Sequence, residues 1–198
     1  MVLAAFLRGI NTGKQNLKMQ DLVYKMNEAG FNYTKSYLAS GNLVFKVDES
    51  KEFSSETDIS EIKKKMEVKL NKLIFDLTGW DIGVLVRDKV ELEALVGQCN
   101  EISIPVDNVE YHMYAIFAND DGVFKEVSDL FDEYPHGEGE GIFGSYGDFF
   151  WRVRKGDTLG AFGSKVLGSK KFKERLTSRN MNTVNKVIEI MNKANESI

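Results

Sequence analysis

The chain has 198 residues, enough for one large domain or two small ones, and its 42% hydrophobic and 28% charged content is that of a globular protein. Its one cysteine, Cys99, excludes an internal disulfide framework and a cysteine-based zinc site, and no stretch approaches the ~20 apolar residues of a membrane span. The net charge of −4 is unevenly spread: residues 1–87 hold 13 basic and 11 acidic side chains, residues 88–155 hold 5 and 15, and residues 156–198 hold 8 and 4, so the acidic middle opposes uniform attraction to nucleic acid or an anionic membrane.

In chain order, Val2–Leu7 is a short apolar run that predicts a buried strand; it is too short, and lacks preceding basic residues, for a signal peptide, so the expected location is the cytoplasm. A glycine-punctuated loop, Arg8–Lys14, follows. Met19, Leu22, Val23, Met26 and Ala29 recur at helical spacing, and Gly30 ends that helix. Tyr33–Ala39 and Leu43–Val47 read as strands around a tight turn at Ser40-Gly41-Asn42. A second helix carries Ile59, Ile62, Met66, Leu70, Leu73, Ile74 and Leu77 at a 3.6-residue period, with Lys63, Lys64, Lys65, Lys69 and Lys72 on its solvated side, and stops at Gly79. Asp81–Arg87 alternates as a strand. The order β-α-β-β-α-β over residues 1–87 predicts a ferredoxin-like domain, an antiparallel sheet with two helices on one face.

Residues 88–198 predict a second α+β domain. Lys89–Cys99 reads as a helix, Glu110–Ala118 as a strand and Gly122–Phe131 as a helix. Glu138–Ser145 and Asp148–Arg154 read as a hairpin. A basic segment, Ser164–Leu176, leads to a last helix through Val184, Val187, Ile188 and Met191. This is β-α-β-β-α with no evident closing strand, a degenerate copy of the first half.

Gly9-Ile-Asn-Thr-Gly13-Lys14 departs from a P-loop in glycine spacing and lacks the hydroxyl after lysine that would bind magnesium. It keeps the ingredients of an anion site: a strand exit, backbone N–H groups, a helix N-terminus, and the charges of Arg8 and Lys14. The bland reading is turn geometry, with Asn11 bonded to its own loop. Gly139-x-Gly141-x-x-Gly144 lacks the following helix of a dinucleotide fingerprint and reads as a hairpin or loop. His112 and His136, 24 residues apart, make no metal site, and Asp132, Glu133, Glu138 and Glu140 read as solvated loop acids. Ser178-Arg179-Asn180-Met181-Asn182-Thr183 places a guanidinium among amides and hydroxyls just before a helix. Asn182 or Thr183 would serve as its N-cap, and Arg179 suits a phosphate or carboxylate.

Leu7-Arg8-Gly9-Ile10-Asn11 with Gly13, Met19 and Leu22, then Gly30-Phe31, Tyr37, Ser40-Gly41-Asn42 and Phe45, then Ser164-Lys165 and Thr177-x-Arg179-Asn180-x-Asn182-Thr183-Val184, together resemble the DUF1697 family of bacterial proteins. The resemblance implies two ferredoxin-like (α-β plait) halves and brings no established activity. Position 181 is Met, where the family commonly carries an aromatic residue.

The expectation is a binding protein whose anion site draws on Arg8, Asn11, Gly13, Lys14, Ser40, Gly41, Asn42, Arg179, Asn180, Asn182 and Thr183, converging on a cleft. Its expected partner is a small anion, such as a nucleotide or a phosphorylated metabolite. Nucleic acid, with its backbone in the cleft or its bases on strand aromatics such as Tyr37 and Phe45, is disfavoured by the pI of 5.4, and a membrane is not expected. The same cleft could serve an enzyme, although no general base is identifiable, or the motifs could be a polar interface between domains or subunits. No cofactor is read from the sequence.

Overall fold

The computed structural model describes residues 1–10, 16–48, 58–145, 147–172 and 174–196. The chain divides into two compact units, Met1–Leu92 with Lys186–Ile198, and Glu93–Asn185. Among the described residues are two four-stranded antiparallel sheets and six helices. None of these helices is long and apolar enough to cross a membrane.

The first unit contains β1 (Val2–Leu7), α1 (Met19–Glu28), β2 (Asn32–Tyr37), β3 (Asn42–Lys46), α2 (Ile59–Thr78) and β4 (Val84–Asp88). The sheet order is β2-β3-β1-β4, with Ala4 facing Val44 on one side and Arg87 on the other. β1 is apolar throughout because all six of its residues are buried. Leu3, Ala5 and Leu7 share a core with Leu22 and Met26 of α1 and with Ile62, Met66, Leu70 and Ile74 of α2. Burying each of the last four contributes about 1.5–3 kcal/mol. Phe45 belongs to this core and presents no aromatic surface.

α1 ends in a Schellman motif: Gly30, at φ 87°, donates its N–H to Asn27 O, and the Phe31 N–H donates to Met26 O. α2 ends at left-handed Gly79, whose N–H reaches Phe75 O at 2.7 Å. Lys63 departs from the solvated row, since its ammonium is held by Glu91 at 2.5 Å and Asp88 at 3.5 Å and its side chain is 15% exposed. Asp88 and Glu91 in turn exchange backbone N–H bonds at 2.9 Å, a capping box that starts α3 (Lys89–Glu101).

The second unit contains β5 (Tyr111–Ala118), α4 (Gly122–Glu133), β6 (Gly141–Phe143), β7 (Phe149–Arg154), α5 (Phe162–Leu167) and β8 (Leu176–Asn180). Its sheet order, β6-β7-β5-β8, repeats the first unit's pattern of second, third, first and fourth strand. The closing strand that the sequence leaves out is β8, paired with β5 from Tyr114↔Asn180 to Ala118↔Leu176. The final helix, α6 (Met181–Glu196), follows β8 without a loop and crosses the division between the units.

Candidate functional site

At the end of β1 the chain is gripped from both neighbouring strands. The Leu7 N–H donates to Gly41 O at 2.7 Å, and the Arg8 N–H donates to Gly83 O at 2.9 Å, at the entry to β4. Gly41 has φ 80°, and a Cβ there would lie 2.6 Å from Ile10 Cδ1 and 2.7 Å from Leu7 Cβ, so only glycine admits Ile10 beneath the turn. Asn42 is buried and closes the turn, its Nδ2 donating to Tyr37 O at 2.8 Å and Ser40 Oγ at 3.1 Å. Ser40 is exposed and Arg8 half-buried, its stem running past Gly83. Lys186 of α6 also feels Tyr37, although its pKa is raised chiefly by the hydrogen bond to Glu189. Arg8, Ser40, Gly41 and Asn42 thus share one end of one sheet. Asn11, Gly13 and Lys14 lie outside the described residues.

Arg179, Asn180, Asn182 and Thr183 belong to the second unit, at the junction of β8 and α6. Arg179 lies opposite Ala115 and is buried. Its Nη1 donates to Thr177 Oγ1 and to Ser178 O, both at 2.8 Å, and burial pushes its pKa down to about 10. Asn180 caps α6: its Oδ1 accepts the Asn182 N–H at 2.9 Å, in place of the expected cap at Asn182 or Thr183. Asn182 is exposed, Thr183 half-buried and Met181 buried.

Sequence reasoning missed Glu140. Read as a solvated loop acid, it is 6% exposed and takes four hydrogen bonds. Oε1 accepts from Trp151 Nε1 at 2.8 Å and Gly163 N at 2.9 Å; Oε2 accepts from Gly137 N at 3.0 Å and Phe162 N at 3.3 Å. Gly163 has no room for a side chain, since a Cβ would lie 2.2 Å from Trp151 Cε2. The glycines around Glu140, among them its donor Gly137, were the local signal, because its other three donors come from β7 and the start of α5. Glu138 is the solvated acid of the pair, 85% exposed and 3.0 Å from Arg154. Beside Glu140 a cavity of about 500 Å³ is walled by His136, Glu138, Arg154, Asp157, Phe162 and Lys165. His136 stacks on Phe131 with ring centroids 4.0 Å apart. Among the described residues no three His, Cys, Asp or Glu side chains gather as a metal site.

A family model described as "Protein of unknown function (DUF1697)" matches residues 1–144. No curated protein matches the sequence. In structure the chain is similar to conserved bacterial protein SP0830 from Streptococcus pneumoniae, with a TM-score of 0.65 and 19% identity over 96% of this chain and 98% of that one. At that identity the likeness speaks to fold alone.

Proposed function

The chain belongs to the DUF1697 family, whose members carry no assigned function, and from its own geometry we propose that it is a ligand-binding protein with an anion site at the end of β1. The observation that carries this reading is the 2.7 Å bond from Leu7 N to Gly41 O, which ties two polar motifs distant in sequence to one place. Arg8 supplies the guanidinium and Ser40 an exposed hydroxyl. In sequence Asn11, Gly13 and Lys14 follow soon after the strand, and the sequence reading assigns them to the same anion site. The occupant is a small anion such as a nucleotide or a phosphorylated metabolite. We read each unit as a ferredoxin-like plait; the antiparallel orders β2-β3-β1-β4 and β6-β7-β5-β8 support that reading.

The test is a thermal-shift screen of nucleotides, phosphosugars and short oligonucleotides. A specific anion at ~100 times its Kd stabilises by about 2.7 kcal/mol. Arg8→Ala and Ser40→Ala should each diminish that response, and affinity should fall with salt. If no anion raises Tm, or if Arg8→Ala responds like the parent, the site is elsewhere.

A second reading is favoured by the hydrogen bonds themselves. Asn42, Arg179 and Asn180 direct side-chain groups to their own neighbouring chain, so these three are a polar framework that shapes turns and starts a helix. On that reading Arg179→Ala lowers Tm and leaves the anion response of the Arg8 site unchanged.

A further inference from the structure

Between helices at matching places in the two strand orders, the largest difference is in the second one. In the first unit, α2 is twenty residues long, roughly 30 Å, and its buried stripe meets α1 over the sheet. In the second unit, the helix at the same place in the order, α5, has six residues and spans roughly 9 Å. It gives Leu167 to the core beside Val123 and Val127 of α4, with Phe162 buried at its first position, but it is too short to follow α4 to its end. The shortfall leaves a groove of about 470 Å³ between the last turn of α4 and the chain from α5 onward.

Leu130, Phe162, Val166 and Phe172 form its apolar floor, and Tyr134, 56% exposed, forms one wall. The volume is within the ~300–1,000 Å³ of small-molecule sites. The charged side chains of the lining are Lys165 and Lys171, and no carboxylate is among them, although residues 88–155 carry a net −10. Lys171 is 2.9 Å from Glu126, whereas Lys165 makes no ion pair among the described residues. Lys165 also lines the neighbouring cavity, where the Glu138 carboxylate is paired with Arg154 at 3.0 Å and so does not compete for the Lys165 ammonium.

We propose that this groove binds a small amphiphilic anion, an apolar chain or ring system lying on Phe162, Val166 and Phe172 with one carboxylate-type head at Lys165. An apolar floor with a single-signed cationic rim selects that class over neutral lipids, which gain nothing from the ammonium, and over compact polyanions, which cannot use the floor. The site lies wholly within the second unit and is independent of the anion site at the end of β1.

The experiment measures binding of 8-anilinonaphthalene-1-sulfonate by fluorescence, and its displacement by dodecanoate and by dodecanol, with the whole protein. The fluorophore should saturate at one site, and dodecanoate should displace it at least about tenfold more tightly than dodecanol. K165E should weaken dodecanoate by about tenfold or more and leave dodecanol unchanged. Y134A, at an exposed position that the fold tolerates, should weaken both. Circular dichroism checks that each variant keeps the parent's fold. No saturable fluorophore binding, equal affinity for the acid and the alcohol, or a K165E variant that binds dodecanoate like the parent would each overturn the proposal.

Discussion

Replacing Glu140 by Gln tests whether the buried carboxylate organises the second unit. The side chain keeps its shape, but one acceptor oxygen becomes an amide nitrogen that can only donate. Each oxygen serves two donors, so whichever way the amide turns, two N–H groups lose their partner. The cheaper choice turns the nitrogen toward Gly137 and Phe162, because the Phe162 bond is the longest of the four at 3.3 Å. Of these two donors the Phe162 N–H is buried, whereas Gly137 is exposed and its N–H can turn to water, so at about 1–3 kcal/mol for one stranded buried donor the loss is about 1–3 kcal/mol. At about 2–4 °C per kcal/mol for a chain of this size, a loss at the top of that range lowers Tm by about 6–12 °C. Scanning calorimetry reads the shift, and urea unfolding followed by tryptophan emission reads the free energy. Glu138→Gln is the matched control: the same chemistry two residues away, on a side chain 85% exposed, should change stability by less than about 1 kcal/mol. If Glu140→Gln unfolds within about 2 °C of the parent, or if the two substitutions are equal, the carboxylate does not hold the hairpin to α5.

Gly163→Ala pushes a methyl into the Trp151 indole at 2.2 Å and should cost about 1–3 kcal/mol or more by denaturant unfolding, with a changed near-ultraviolet circular dichroism from Trp151. Gly41→Ala and Gly9→Ala separate strain from crowding. Both glycines have positive φ, so each alanine costs about 1–2 kcal/mol, but only position 41 adds overlap with Ile10 and Leu7; equal destabilisation would refute the packing. Glu67 gives a pH test. Burial, outweighing the hydrogen bond from Val86 N and the nearby cations, raises its pKa above the usual carboxylate range. The folded state therefore holds that proton more tightly than the unfolded one, a contribution present at low pH and lost as pH rises through the folded value. Glu67→Gln keeps the acceptor for Val86 N, so its stability relative to the parent should be lowest in acid and rise toward neutral pH; a flat difference would refute the assignment.

The first unit was readable because burial and periodicity coincide there. β1 is apolar on both faces, and α2 repeats Ile62, Met66, Leu70 and Ile74 every four residues. β4 was placed early, at Asp81, because Ile82 extends its alternation, yet the strand begins at Val84. β8 was missed because it reads Leu-Thr-Ser-Arg-Asn: Thr177 and Arg179 are both buried and both polar, so alternation in burial leaves no alternation in hydropathy. The hairpin of β6 and β7 was found, but Glu140 beside it was not, since its burial depends on donors at positions 151, 162 and 163. The motif residues at the end of β1 were marked by residue type alone. Their common position follows from β3 and β4 flanking β1, a pairing that composition does not encode.

The first unit is assembled from two separate stretches of chain, Met1–Leu92 and Lys186–Ile198. During synthesis its sheet can form early, but its last segment leaves the ribosome only after the whole second unit has been made. Maturation of the N-terminal half is thus timed by the C-terminal end, and the intervening unit behaves as an insertion that must complete before its host can. A nascent chain halted near residue 185 would expose whatever apolar surface Val187, Met191 and Ala194 cover in the finished protein.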